Sequence, residues 1–270
     1  MQRFQAKIIV NSPLSPQWQV LGFEWPRDLE TPQPGQFFTC RPRAPWSQDA
    51  GLLRRPLAFA GMSGTTALAI YQVRGPGTKA LAATECGVSL DIIAPLGKGF
   101  PLPVPGETPV LLAGGIGIGP MLFFHSCLQN PSLFLGFRSG NSIPEFGPAP
   151  QLTDLSRSLA SASIATDDGS RGFMGTVLAM ADKLLDLLNS GSGRPHLYAC
   201  GPAPMLAEID RFCARKRFTA HLSVEQWMAC GVGACHGCVL PSVSGGYVRA
   251  CADGPVFESG IIDWEGELHA

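Results

Sequence analysis

Residues 111–120 read Leu111-Leu112-Ala113-Gly114-Gly115-Ile116-Gly117-Ile118-Gly119-Pro120. An apolar run ending in closely spaced glycines and a proline is the pattern of a buried strand that turns sharply into a helix. In that setting a Gly-rich turn lets a pyrophosphate approach the helix N-terminus. The spacing, Gly115-x-Gly117-x-Gly119-Pro120, falls short of the full dinucleotide fingerprint, and no acidic residue stands ~20 positions on to grip a ribose. Asp167 and Asp168, roughly 50 residues on, are the candidates for that task. A turn that serves packing alone is the competing explanation of these glycines.

On the C-terminal side of this stretch, strands and helices alternate. The strand Pro109–Ala113 is followed by a helix over Pro120–Gln129 and strands over Ser132–Phe137 and Ser161–Thr166. A helix over Thr176–Leu188, a strand over His196–Cys200, a helix over Pro202–Lys216 and a strand over Thr219–Val224 complete the series. Such alternation predicts a parallel sheet with helices on both faces. On the N-terminal side the reading is all β. Short runs at Lys7–Val10, Trp18–Phe23, Gln36–Cys40, Leu57–Ala60, Ala67–Val73 and Leu90–Ala94 are separated by Gly/Pro clusters, Gly61-Met62-Ser63-Gly64 among them. Strands at this spacing predict a small antiparallel barrel or sandwich, with one helical segment at Thr78–Thr84. Pro101–Thr108, with its three prolines, reads as a linker. The expected division is therefore a β-barrel domain over 1–104, an α/β nucleotide-binding domain over 105–224 and a small Cys-rich section over 225–270.

Composition sets limits on function. Charged residues are 15% of the chain, below the roughly 25% of average soluble proteins, and 20 Lys+Arg face 21 Asp+Glu. A net charge of −1 argues against a nucleic-acid-binding domain, and 45% hydrophobic residues argue against disorder. The most apolar stretch, Val110–Phe124, carries four glycines and a proline and is shorter than the ~20 residues of a membrane span. Met1–Lys7 lacks the build of a signal peptide. A cytoplasmic chain is the expectation, and in a reducing compartment clustered cysteines serve as metal ligands or catalytic groups more often than as disulfides.

Cys230, Cys235, Cys238 and Cys251 are spaced Cys-x4-Cys-x2-Cys-x12-Cys. The first three match plant-type 2Fe–2S ligation. Gly231, Gly233 and Gly237 would let backbone N–H groups reach the sulfurs and tune them. A structural zinc site also takes four thiolates, usually as two Cys-x(2–4)-Cys hairpins, and buried unligated cysteines are a further alternative. His236, between two of these cysteines, reads as a loop residue. Cys40, Cys86, Cys127 and Cys213 are isolated and read as structural.

Taken together, these features resemble the ferredoxin-reductase superfamily and, within it, the electron-transfer subunits of type B dihydroorotate dehydrogenase, over essentially the whole chain. The residues that carry the resemblance are Arg54-Arg55-Pro56-Leu57, Gly75-Pro76-Gly77-Thr78-Lys79, Pro95-Leu96-Gly97-Lys98-Gly99-Phe100, Gly114-Gly115-Ile116-Gly117, Leu135-Gly136-Phe137, Thr166-Asp167-Asp168-Gly169-Ser170 and Cys200-Gly201-Pro202. The most distinctive are Met228–Cys238 and Cys251–Phe257. The resemblance implies FAD on the barrel, NAD on the α/β domain and a 2Fe–2S cluster on Cys230, Cys235, Cys238 and Cys251. It further implies an FMN-containing catalytic partner that oxidises dihydroorotate in pyrimidine biosynthesis, in a heterotetramer. Electrons would pass from that FMN through the cluster and FAD to NAD+, with neither nucleic acid nor membrane involved.

By the same resemblance Arg55 pairs with the FAD pyrophosphate, a task suited to its fork of donors, and Gly77 and Thr78 line the same phosphates. Pro56, Leu57 and Ala58, with Ile70, Tyr71 and Gln72, flank the flavin, while Gly115, Gly117, Asp167 and Asp168 serve the NAD. Ala58 departs from the family pattern, which has Ser there, and its methyl cannot hydrogen-bond the flavin. Cys200 is either a group flanking the hydride path or a buried strand-end thiol. Two carboxylates at Asp167 and Asp168 favour a free ribose hydroxyl over a 2′-phosphate. Two other readings stay open: a flavin and iron–sulfur subunit of a hydrogenase or bifurcating transhydrogenase, and a zinc-stabilised nucleotide-binding module.

Overall fold

A strand of fourteen residues, β1 (Gln2–Ser15), is long enough to serve two neighbours. Through Gln2–Lys7 it pairs with β7 (Ser89–Leu96), and through Ile8–Ser15 with β2 (Trp18–Glu24), antiparallel in both cases. With β3 (Phe37–Arg41), β4 (Arg55–Ala58), β5 (Gly61–Ser63) and β6 (Thr66–Gln72), the order is β4-β3-β7-β1-β2-β6-β5. The ends of that order, β4 and β5, are separated in the chain only by Phe59 and Ala60, so the sheet has to curl until its edges meet. This computed structural model describes residues 1–41, 53–188 and 193–266; the last four residues of the expected Cys-rich section lie outside them.

Alternation along the strands fills the barrel. Ile8, Phe23, Phe38, Ala69, Tyr71 and Ile92 point inward, and Phe23, Phe38 and Phe59 pack ring on ring, with centroids 4.8 and 5.1 Å apart. A short helix, α1 (Pro76–Ala82), inserts Leu81 into the same core. Asn11 ties it down, its Nδ2 donating to the carbonyls of Leu81 and Thr84 at 2.8 Å each. The outward residues Val20, Leu68 and Ile70 are buried too, against the second domain. One expectation is corrected here: Gly61-Met62-Ser63 is a strand and not a separator, because its pairing with Leu68, Ala67 and Thr66 overrides the turn-like residue types.

The second sheet has the order β11-β10-β9-β8-β12-β13-β16. Its elements are β8 (Glu107–Gly114), β9 (Ser132–Phe137), β10 (Ser163–Thr166), β11 (Phe173–Met174), β12 (Arg194–Cys200), β13 (Thr219–Ser223) and β16 (Val256–Glu258). All pairs are parallel except β13 with β16. Helices cover both faces. Leu111, Ala113, Leu133 and Leu135 face α2 (Ile118–Cys127), α3 (Thr153–Ser161) and the barrel, whereas Val110, Leu112, Phe134 and Leu197 face α4 (Val177–Leu188) and α5 (Ala203–Lys216). The helix α3 and the strands β11, β14 (Val239–Pro241), β15 (Tyr247–Arg249) and β16 were not anticipated from the sequence. The Cys-rich section is built into the core beneath α4 and α5 through Leu240, Ala250, Phe257 and Ile262. No helix among the described residues is long and apolar enough to cross a membrane.

One buried carboxylate fastens the barrel strands. Asp91 on β7 accepts Nε and Nη2 of Arg3 at 3.0 and 2.6 Å, and Nη1 of Arg54 lies 3.2 Å from it. The Arg3 hydrogen bonds, working against burial and joined by the hydrogen bond and charge of Arg54, hold its carboxyl at about 2. A group depressed in this way stabilises the fold above the unfolded value near 3.8 and loses that contribution as pH falls through its folded value. Asp91→Asn is expected to destabilise the chain by about 2 kcal/mol at neutral pH. The difference from the parent should close as pH is lowered from about 4 to about 2, which denaturant titrations across that range would measure.

Candidate functional site

The start of β4 is clamped before it reaches the site. Arg54 donates Nε to Thr39 Oγ1 at 2.9 Å and Nη2 to the Thr39 carbonyl at 3.1 Å. The next residue, Arg55, lays its guanidinium over Gly77 in the first turn of α1, where a Cβ would collide with Nε, Cζ and Nη2, and its Nη1 donates to the Leu53 carbonyl at 2.8 Å. Thr78 Oγ1 accepts the N–H groups of Arg74 and Gly75 at 3.0 and 3.1 Å and donates to the Gly75 carbonyl at 3.1 Å. The structure thus joins Arg55, Gly77 and Thr78 at one place, with the threonine hydroxyl already committed to shaping the turn. A planar cation beside a helix start suits a pyrophosphate.

Pro56, Leu57 and Ala58 are half-buried along β4. β4 passes β6 without pairing with it. Ala60 donates its N–H to the Leu68 carbonyl at 2.7 Å, so the backbone groups of Leu68, Ile70 and Gln72 point to that side of β6. β5 begins at Gly61, opposite Leu68, so among the described residues Ile70 and Gln72 have strand partners only on the other side of β6, in Val20 and Trp18 of β2. An open edge on a buried strand is where a flat ring with acceptor and donor atoms can dock. Tyr71 faces the other way: its ring is 1% exposed inside the barrel and its hydroxyl donates to Asn11 Oδ1 at 3.1 Å.

The glycine turn divides by role. Gly117 lies so close to the Cys200 carbonyl and the Gly201 nitrogen that a Cβ would overlap them, so packing alone demands a glycine there. Gly115, with φ +52°, has open space where its Cβ would be, which leaves the turn free to receive a ligand. Gly119, at the start of α2, lies against Ala60 and Ile70, with 3.4 and 3.8 Å from its Cβ position to their Cβ atoms. The nucleotide turn therefore abuts the open edge of β6. Cys200 is 4% exposed; burial above all, with the nearby Glu225 charge and against a Ser223 hydrogen bond, pushes its thiol up to about 12. Asp167 and Asp168 are exposed beyond the end of β10. Asp168 Oδ1 accepts Ser170 N–H and Oγ–H at 3.0 and 2.6 Å, so it also shapes its own turn.

The four cysteines of the C-terminal loop come together as two pairs. Cys238 and Cys251 are 2% and 3% exposed, with sulfurs 3.1 Å apart. Cys230 Sγ accepts the N–H groups of Val232 and Cys235 at 3.4 Å each, and Cys235 lies exposed beside it. Burial opposes ionisation of Cys230, but those backbone donors outweigh it and bring the thiol down to about 6. Gly233 donates its N–H to Cys251 Sγ at 3.1 Å; its φ of +81° and the Ala252 methyl against its Cβ position exclude any side chain. Among the described residues, no three Cys, His, Asp or Glu side chains are grouped to hold one metal ion. Two sulfur pairs with inward N–H donors fit a two-iron cluster with a pair on each iron. His236 is exposed in the loop with φ +57°.

The loop touches the barrel directly. Gly231 faces Thr39, Leu96 and Phe37, and Phe37 and Thr39 pair across β3–β4 with Ala58 and Pro56. Lys98 N–H donates to the Gly254 carbonyl at 2.7 Å. In the same segment Trp227 is 89% exposed, and Val232, whose N–H reaches Cys230, is 39% exposed.

Residues 225–263 match the family model for the iron–sulfur cluster binding domain of dihydroorotate dehydrogenase B. The chain is 35% identical to the dihydroorotate dehydrogenase B (NAD+) electron transfer subunit of Desulforamulus reducens, over 97% of this chain and 98% of that one. It is 37% identical to the subunit of the same name from Shouchella clausii, over 85% and 86% of the two chains. A structure of an NADH-dependent reduced ferredoxin-NADP oxidoreductase superposes with a TM-score of 0.77 at 22% identity, covering 97% of this chain and 91% of that one. A ferredoxin NADP+ reductase from Neisseria gonorrhoeae with bound FAD and NADP superposes with a TM-score of 0.60 at 16% identity, over 80% and 92%. At those identities the two structures show the fold.

The isolated thiols separate by access. In mildly alkaline buffer iodoacetamide is expected to label Cys86, which is exposed, and more slowly Cys127, whose thiol burial pushes up. Cys40, Cys200 and Cys213, all buried and all pushed up to about 12, should stay unlabelled until denaturant is added. Peptide mass spectrometry reads the order directly.

Proposed function

Since the chain belongs to the family of dihydroorotate dehydrogenase B (NAD+) electron-transfer subunits, we propose that it relays electrons from the FMN of a catalytic subunit to NAD+ through a 2Fe–2S cluster and FAD. The observation that carries this proposal is the gathering of four cysteines in one loop, Cys238 and Cys251 buried, Cys230 half-buried and Cys235 exposed, with Gly231 of that loop packed on β3 next to β4. When bound, the cluster handles single electrons, and FAD can take them singly and release them as a hydride pair. Each residue role follows from that frame. Arg55 and the turn at Gly77 and Thr78 hold the FAD pyrophosphate. Pro56, Leu57 and Ala58 and the main chain of Ile70 and Gln72 flank the ring, with Tyr71 supporting β6 from inside the barrel. Ala58 leaves the ring to find its hydrogen bonds from main chain, since a methyl donates none.

Gly115 and Gly117 set the turn that receives the NAD pyrophosphate, and Asp167 and Asp168 lie where a free ribose hydroxyl is preferred to a 2′-phosphate. The high thiol of Cys200 makes it an uncharged wall beside the nicotinamide site. Cys230, Cys235, Cys238 and Cys251 ligate the cluster. By role the chain divides into 1–104 for FAD, 105–224 for NAD and 225–270 for the cluster. The clustered thiols suit a reducing cytoplasm. The outer face with Trp227, Val232 and Cys235 is the side we assign to the catalytic subunit, in a heterotetramer.

The test is reconstitution. Mixed with an FMN-containing catalytic subunit, the chain should support NADH formation from dihydroorotate and gain hydrogen-exchange protection over residues 225–257. Cys235→Ser should abolish the cluster absorbance while FAD is retained, because a hydroxyl is a poor substitute for thiolate. A colourless chain that binds zinc, or one active only with a hydrogenase or transhydrogenase partner, would overturn the assignment. For the flavin, Arg55→Ala is expected to weaken FAD binding by about 2–3 kcal/mol, with Arg55→Lys recovering part of it. Fluorescence of FAD released on dilution measures both.

A further inference from the structure

Cys251 lies in the middle of a hydrogen-bonded turn, Arg249 to Asp253, whose two ends form an ion pair. Asp253 N–H donates to the Arg249 carbonyl at 2.8 Å, closing the turn. Across it, Arg249 donates Nε to Asp253 Oδ2 at 3.1 Å and Nη2 to Oδ1 at 3.0 Å, a two-pronged contact. A third prong is left over. Arg249 Nη1 donates to the Gly233 carbonyl at 3.1 Å, and Gly233 is the residue whose own N–H is given to Cys251 Sγ. The guanidinium is thus fixed on one side by a carboxylate and on the other by the cysteine loop. Its protonated form is favoured first by the Asp253 hydrogen bonds and charge.

We infer that Arg249 is a positioning residue for the iron–sulfur cluster, raising its reduction potential by bringing a positive charge to the inner sulfur pair and by holding Gly233 in its donating conformation. The inference rests on the cluster assignment above. Reduction adds an electron to an already anionic cluster, so a nearby cation stabilises the reduced form more than the oxidised one, and donors to sulfur act in the same direction. Asp253 has the opposite electrostatic effect. It tempers the cation and keeps it from swinging into solvent, and Lys98 lies close enough to add its own positive charge to the pair.

The two residues therefore give opposite signs, which a packing role does not. In the full chain with its cluster, EPR-monitored redox titration of Arg249→Gln should place the midpoint at a more negative potential than the parent. Arg249→Lys should shift it in the same direction by less than half as much, since the charge stays and the bond to Gly233 goes. Asp253→Asn should move it to a more positive potential. Unchanged midpoints in both Arg249 variants, or shifts of one sign in Arg249→Gln and Asp253→Asn, would overturn the inference. If Arg249→Gln fails to retain iron, Arg249→Lys and Asp253→Asn decide it alone. Absence of a 2Fe–2S signal and of stoichiometric iron and sulfide in the parent chain would instead sink the cluster assignment itself.

Discussion

The methyl of Thr39 packs against Gly231 while its hydroxyl accepts the Nε–H of Arg54, so one residue of β3 ties the cysteine loop to the start of β4, the strand proposed to flank the flavin. Two cofactors that exchange electrons have to be held close and at a fixed separation, and here the fixing is done by sheet geometry. β3 pairs with β4 through Phe37, Phe38, Thr39 and Cys40, and the loop rests on the same strand. Asp91 locks this arrangement from below, because its partner Arg54 also bonds Thr39.

The second constraint is the close approach of Gly117 to the end of β12. It brings the C-terminal ends of β8, β12 and β13 to one crevice, the position where ligands bind in open α/β sheets. Because Gly119 in turn lies against Ala60 and Ile70, the crevice opens onto the free edge of β6. On the proposed assignment of the two sites, a nicotinamide and a flavin would meet at the seam between the barrel and the parallel sheet. The same crowding explains Cys200: a thiol sealed between β8, β13 and the glycine turn is a neutral surface, suited to excluding water and unsuited to moving protons.

The parts of this molecule that the sequence displays are those written in local patterns. The apolar runs at Ala67–Val73, Pro109–Ala113 and Ser132–Phe137 announce their strands, and Cys-x4-Cys-x2-Cys announces the loop. What stays hidden depends on partners distant in the chain. Gly61–Ser63 has turn-like residues and becomes a strand only because β6 offers an edge. α3, Thr-Asp-Leu-Ser-Arg-Ser-Leu-Ala-Ser, has two apolar leucines among polar residues, and its helix is sustained by packing on α2. β16 is three residues that borrow the edge of β13, 33 positions away from its last residue to the first of β16. Among site residues, Arg55 and Gly77 are legible as motif members, but their contact is not. Asp168, the candidate for a ribose hydroxyl, also shapes its own turn through Ser170, a contact the sequence does not display. Arg249 and Asp253 gave no signal, since an ion pair four residues apart has no special meaning outside a helix.

The asymmetry of the sulfur pairs gives the relay a direction in space. Cys238 and Cys251 are buried in the core, where low polarity strengthens nearby dipoles such as the Gly233 N–H, while the partly exposed Arg249 is held at their edge by Asp253 and the Gly233 carbonyl. Cys230 is half-buried and Cys235 exposed, and on the proposed assignment a surface of the catalytic subunit would cover them. A chain of net charge −1 cannot rely on a broad electrostatic field to bring that surface in. A bare Trp227 beside the loop supplies another means, since aromatic anchors dominate the cores of protein interfaces. Covering that anchor would also dry the outer sulfurs, so docking and adjustment of the cluster would be the same event.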